Sequence, residues 1–294
     1  MINNPHKILD ELKPSKEFFI GIDSDGCVFD TMEIKHKECF CPAYIKYFGL
    51  QKISKYARES WDFVNLYSKT RGANRFKALV RSINLLKNRK EVRAREAELP
   101  DLTPIIDWMG KETKLGNPAL QKFASEVNNP IVDKTLEWSK EVNYVIEQMV
   151  HNIPPFPFFN ETLMKMVKRA DTIVVSQTPL EALVREWKEH GIDKYVKLIC
   201  GQEYGTKAEH LKYSAVRKYH PDKILMIGDA PGDLDAAKSN GALFYPVNPG
   251  HEEKSWERFY TESLDKFFNG TYKGEYENSL IKEFESYLPE NPSW

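Results

Sequence analysis

No run of about 18 apolar residues, the length a membrane-spanning helix needs, occurs in the 294-residue sequence. The stretch from Met1 to Phe18 is polar and charged, without the apolar core of a secretory signal. Cysteine is scarce. Cys27, Cys39, Cys41 and Cys200 are too few for a disulfide scaffold. The Cys39-x-Cys41 pair has no second pair or nearby histidine to complete a zinc set. An excess of either charge is also lacking. The net charge of −1 and the pI near 6.7 give no footing for wholesale binding to nucleic acid or to a membrane surface. Internal repeats and low-complexity tracts are absent. These absences lead us to expect a soluble cytoplasmic protein with reduced thiols and with neither nucleic-acid nor membrane partners. They leave its oligomeric state open.

What is present is a set of short apolar runs that end in polar turns. Phe18–Ile22 runs into Asp23-Ser24-Asp25-Gly26. Thr172–Val175 runs into Ser176-Gln177-Thr178-Pro179, and Lys223–Ile227 into Gly228-Asp229. Val196–Cys200 and Ala242–Val247 read as two more strands. Amphipathic segments such as Leu180–His190 and Lys207–Tyr219 separate the last four. Strands alternating with helices predict an α/β fold, a Rossmann-like parallel sheet with helices on both faces. From Thr31 to Ile153 the pattern changes. Charge is dense, and apolar residues recur at helical spacing: Ala43, Tyr44, Tyr47 and Phe48, then Phe76, Leu79, Val80 and Ile83. This predicts a helical domain, residues 31–153, inserted into an α/β domain made of residues 1–30 and 154–294. The proline-dense Pro154–Pro157 marks the return. One more helix is expected in the tail, near Ser279–Tyr287.

Four chemical signals fall at strand ends or helix starts, where ligands bind in open parallel sheets. The first is Asp23-x-Asp25. Residues two apart in an extended chain face the same way. One aspartate can attack a phosphoryl group, and its neighbour can protonate the leaving oxygen and later activate water. An EF-hand loop is excluded, because Val28 and Ile34 stand where that loop needs Gly and Glu. The second is Gly228-Asp229-x-x-x-Asp233. Further carboxylates beside Asp23 require a cation between them, and Mg²⁺ suits oxygen ligands. The third is Ser176, whose hydroxyl and following backbone N–H groups suit phosphoryl oxygens. The fourth is Lys207, a cation at a helix start where cations are disfavoured. Each has an ordinary alternative when taken alone: an Asx turn, a helix cap or a solvated lysine.

Taken together and in this order, the four resemble the sequence motifs of the haloacid dehalogenase-like superfamily. Ile22–Thr31 resembles its first motif and Gly228–Gly241 its fourth, and the resemblance spans Phe18 to Val247. It implies a nucleophile at Asp23 and a general acid/base at Asp25. It implies phosphoryl binding by Ser176, with Gln177 beside it, and by Lys207. It implies Mg²⁺ held by Asp23, Asp229, Asp233 and the backbone carbonyl of Asp25. The inserted helices correspond to that family's helical cap. Cys27 stands where the family usually has Thr. An acid at position 25 sets the chain apart from dehalogenases, which lack one there, and from P-type pumps, which have Thr. The expected activity is hydrolysis of a small phosphorylated metabolite through an aspartyl-phosphate. The alternatives are a phosphomutase or an inactive phospho-ligand-binding module. A receiver-like signalling domain fits poorly, since it has no such insertion.

The insertion also carries a cationic stretch, Lys69 to Glu98, with ten basic residues against three acidic ones, a net of +7. Within it Gly72 interrupts the helical pattern. The segment Tyr67–Arg75 therefore reads as a loop between two helices, in which Arg71 and Arg75 are expected to contact substrate.

Overall fold

The computed structural model describes residues 4–294, so Met1, Ile2 and Asn3 of the polar N-terminal stretch lie outside the described residues. The chain forms two compact units. One comprises the residues up to Met32 together with Asn152–Leu288, and the other Glu33–His151 together with Pro289–Trp294.

The first unit is built on a five-stranded, wholly parallel sheet. Its strands are β1 (Phe18–Ile22), β2 (Ala170–Val175), β3 (Leu198–Cys200), β4 (Ile224–Gly228) and β5 (Leu243–Pro246). Their spatial order is β3-β2-β1-β4-β5. Ile22 is in register with Val174 on one side and Ile227 on the other. The chain steps outward from β1 to β2 and β3, then crosses back to the far side of β1 as β4. The sheet therefore reverses its winding between β1 and β4, and ligands of open parallel sheets bind at such a point, beyond the carboxyl ends of the strands.

The continuous apolar runs of β1 and β4 follow from cover on both faces. Alternate residues point opposite ways. Phe18, Ile20, Ile22, Val174, Leu225, Ile227 and Tyr245 pack on one side with Phe159 and Leu163 of the helix Phe159–Arg169 and with Trp256. Phe19, Ile173, Val175, Met226 and Phe244 pack on the other with Leu211, Leu234, Ala237 and Phe284. Those four come from the helices Lys207–Ser214, Pro231–Ser239 and Glu275–Ser286. The helix expected to reach Tyr219 stops at Ser214. Arg217 adopts φ 70°, and the turn lets the Lys218 ammonium donate to the carbonyls of Leu9 and Leu12.

The second unit is helical around an aromatic core. Trp61 and Trp138 meet edge to face at 5.9 Å, with Tyr44, Phe76 and Ile83 buried in the same cluster. Gly72 lies between the helices Ser54–Asn65 and Arg75–Asn88 with φ 76°, a left-handed conformation that costs glycine little. The chain also departs from the sequence reading at its last residues, which were expected with the α/β domain. Pro289–Trp294 belongs to the helical unit, because it finds partners there. The Pro289 carbonyl accepts from the Lys69 N–H, Arg81 donates to the Glu290 carbonyl, and the Trp294 ring packs on Phe63 and under the Arg89 guanidinium.

Candidate active site

The candidate residues stand at the ends of three strands, β1, β2 and β4, and at the starts of two helices. Asp23 is the first residue after β1, and its N–H donates to the Ile227 carbonyl of β4 at 2.9 Å. The turn that follows is closed on itself. The Ser24 carbonyl accepts from Val28 and Phe29, and the Gly26 N–H donates to the Phe29 carbonyl. Two tryptophans brace this turn. Trp187 Nε1 donates to Ser24 Oγ at 3.0 Å, and Trp256 Nε1 donates to the Cys27 carbonyl at 2.7 Å.

Asp229 follows β4, and Asp233 stands in the first turn of the helix Pro231–Ser239. One Asp233 oxygen accepts from the Ala230 N–H at 3.0 Å, which caps the helix. Gly228 is required for this. A Cβ there would stand 2.3 Å from Asp233 Cγ. Asp23, Asp229 and Asp233 are all buried, and each places a carboxylate oxygen within 4.8 Å of the others. Burial pushes the Asp23 carboxyl well above its ordinary range, and the charges of Asp233 and Asp229 push the same way against the opposing pull of Lys207. The donor set is all carboxylate oxygen. It fits a hard dication such as Mg²⁺, whose charge would offset this repulsion. Among the described residues it is the one group of this kind.

Lys207 opens its helix behind a Thr206–Glu209 capping box. Its ammonium lies 2.6 Å from Asp233 Oδ1 and 2.9 Å from Asp23 Oδ2. Burial alone would favour losing the proton, but the Asp23 and Asp233 carboxylates outweigh it and hold Lys207 charged. Its unusual place at a helix start is thus explained by two acids rather than by the helix.

Asp25 is oriented by two hydroxyls. Thr31 Oγ1 donates to Oδ1 and Thr178 Oγ1 to Oδ2, both at 2.6 Å. Its carboxylate is not part of the trio of Asp23, Asp229 and Asp233. Ser176 follows β2, is buried, and its Oγ accepts from the Thr178 N–H at 3.2 Å. The Gln177 side chain is committed to the Gly205 carbonyl at 2.8 Å, which leaves its backbone for any phosphoryl contact. Cys27 is fully buried, and burial together with the neighbouring Asp229 and Asp23 charges drives its thiol pKa up. It is a packing residue and not a nucleophile. All four cysteines are buried and free.

Six residues singled out from the sequence, Asp23, Asp25, Ser176, Lys207, Asp229 and Asp233, thus stand on one unit at the sheet's carboxyl end. Arg71 and Arg75 belong to the other. Arg71 is buried and donates to the Leu66 carbonyl of its own loop, while Arg75 opens a helix. Asp235 is exposed. The sequence reading missed Thr178 and the two bracing tryptophans. Thr178 lay in plain view two residues after Ser176, but a Thr-Pro pair reads as a helix start. The tryptophans carry no local signal, since they reach the turn from more than 160 residues away.

No family model matches the sequence, and no curated protein matches it. Among solved structures, the chain is similar to a haloacid dehalogenase-like family hydrolase from Streptococcus pneumoniae. That likeness is 13% identical and covers 82% of this chain and 90% of that one, at a TM-score of 0.44. It is similar to a HAD-superfamily hydrolase of subfamily IA, variant 1, from Geobacter sulfurreducens, at 14% identity, coverages of 80% and 89%, and a TM-score of 0.38. It is also similar to a haloacid dehalogenase-like family hydrolase from Xanthomonas campestris, at 10% identity, coverages of 90% and 97%, and a TM-score of 0.43.

Proposed function

We propose that the chain is a Mg²⁺-dependent phosphomonoester hydrolase of the haloacid dehalogenase-like superfamily, acting through an aspartyl-phosphate on Asp23. The observation that supports it best is the Lys207 ammonium held between Asp23 and Asp233, beside a buried trio of carboxylates at the sheet's reversal point. In this reading an Asp23 carboxylate oxygen attacks phosphorus while the bond from phosphorus to the ester oxygen breaks. Asp25 gives its proton to the departing alcohol. Asp25 then takes a proton from water, the water oxygen attacks phosphorus, and the bond to Asp23 breaks to release inorganic phosphate. Ser176 Oγ and the N–H groups after it bind the phosphoryl oxygens, and Lys207 neutralises charge on the phosphoryl group and on Asp23. Asp23, Asp229, Asp233 and the Asp25 carbonyl would hold Mg²⁺, which would supply charge stabilisation at the phosphoryl oxygens. The helical unit, inserted in the chain between Asp25 and Ser176, is in this reading the cap.

The test is release of inorganic phosphate from a panel of phosphorylated metabolites, with Mg²⁺ and with chelator. Turnover that vanishes with chelator and in Asp23→Asn is the expected result. Undiminished turnover by Asp23→Asn would end the covalent mechanism.

A further inference from the structure

The helical unit holds a guanidinium that the phosphoryl chemistry does not use. Arg75 is partly buried, and its hydrogen bonds to the described residues all leave from Nη1. That nitrogen donates to the Ser139 carbonyl at 3.1 Å, to Ser139 Oγ at 3.0 Å and to Asn143 Oδ1 at 2.7 Å. Ser139 Oγ is fixed in turn by donating to Asn117 Oδ1 at 2.5 Å. The group lies over the ring of Phe40, whose centre is 5.0 Å from Arg75 Cζ. The His36 ring stacks on Phe40 as well, at 4.8 Å and 14°. Phe40 ends a π-helical turn, Lys35–Phe40, a local widening often found at functional positions.

Every one of those acceptors is neutral. Among the described residues no carboxylate pairs with Arg75, and burial draws its pKa down to about 10 with no acid to oppose the shift. A charge with reduced access to water and no opposite charge beside it is costly. By contrast, Arg89 in the same unit is paired with Glu59 and Glu91. The Nε and Nη2 of Arg75 donate to no protein group among the described residues. These two N–H groups form the parallel fork that binds two oxygens of one carboxylate or phosphate. Arg75 is also the first residue of a 14-residue helix, whose positive pole favours an anion at the same end.

We propose that the Nε/Nη2 edge of Arg75, set over Phe40 and anchored through Nη1, is an oxyanion-binding site of the helical unit that takes a carboxylate or phosphate group of a ligand. The site is independent of the chemistry at Asp23 and survives if that reading fails.

The experiment uses the full chain without Mg²⁺ and follows the Arg75 Nε–Hε resonance, assigned by its loss in Arg75→Lys. Succinate and inorganic phosphate are titrated in separate arms. A saturable downfield shift with a Kd of about 1–10 mM is expected in at least one arm, and the arm that responds identifies the oxyanion. Asn143→Asp sets a carboxylate beside Nη1 at an exposed position and leaves Arg75 in place. It should weaken the anion roughly tenfold, the cost of about one charged hydrogen bond. Arg75→Lys keeps the charge but loses the fork, and should weaken it as much by calorimetry. No saturable shift in either arm, or an affinity unchanged by Asn143→Asp, overturns the site.

Discussion

Thr178 Oγ1 donates to Asp25 Oδ2 at 2.6 Å across 153 residues of sequence. Thr31 holds the other oxygen at the same distance, so the carboxylate is fixed at both ends. A proton donor must be aimed to work, and a misplaced one loses much of its effect. Thr178→Val is expected to lower kcat roughly tenfold, in line with about 1.5 kcal/mol for a hydrogen bond to a charged group, with KM little changed. Thr178→Ser should restore most of the rate, and Asp25→Asn should cost about 100- to 10,000-fold. The comparison is made by steady-state kinetics on the best ester of the panel. A Thr178→Val enzyme with full kcat would show that Asp25 needs no such support.

The acids at the strand ends were legible in the sequence because each follows an apolar run directly. Strand ends in a parallel sheet share one edge, so residues found one motif at a time had to converge. The strands were legible for a related reason, since burial leaves short apolar runs, complete in β1, β2, β4 and β5 and partial in the edge strand β3. The partners that set geometry were not. Thr31 is a motif residue whose hydroxyl direction depends on how the turn closes, and Trp256 reaches Cys27 only through tertiary packing. The place of Pro289–Trp294 was hidden too, because ion pairs and ring contacts with Arg81, Arg89 and Phe63 leave no periodicity.

Gly228 carries a prediction of its own. A methyl group added there meets Asp233 Cγ, Cβ and Oδ2 at 2.3, 2.4 and 2.5 Å. Asp233 is fully buried and tied to Ala230 and Lys207, so it has nowhere to retreat. Gly228→Ala should cost about 1–3 kcal/mol of stability, as overpacking does, and should displace Asp233 from the trio. Denaturant unfolding and metal titration measure the two effects. A variant that binds Mg²⁺ as well as the parent does would show that Asp233 is not a ligand.

Metal binding should appear as stability. A ligand that binds only the folded chain stabilises it by about 2.7 kcal/mol at a hundredfold excess over Kd. Mg²⁺ is therefore expected to raise the thermal midpoint of the parent. Asp229→Asn should lose most of that increase, since it removes a charged ligand while keeping the size of the side chain. Thermal scans with and without Mg²⁺ decide this without any substrate. An identical Mg²⁺ increment in both proteins would remove Asp229 from the metal site.

The opposite end of the sheet offers a pH test unconnected to catalysis. Asp171, near the start of β2, is 3% exposed. Its carboxylate accepts from the Ser15 N–H and hydroxyl and from the Tyr219 hydroxyl, each at 2.6 Å, and from the Lys16 N–H at 3.0 Å. The Lys197 ammonium stands 2.8 Å away. Burial works against the charge, but Lys197, Ser15 and Tyr219 outweigh it and hold the carboxyl well below its ordinary range. The sign follows from linkage. A depressed folded-state pKa contributes stability that is complete above the unfolded value of about 3.9 and is lost as pH falls toward the folded value. Asp171→Asn should therefore cost about 2–3 kcal/mol at pH 7, less than a fully buried ion pair because Lys197 is partly exposed. The gap between parent and variant should shrink as pH is lowered from 5 toward 2, since the unfolded parent then takes up a proton that the folded parent does not. Urea unfolding across that range measures it. A gap that stays constant down to pH 2 would mean that the interaction at Asp171 does not depend on its charge.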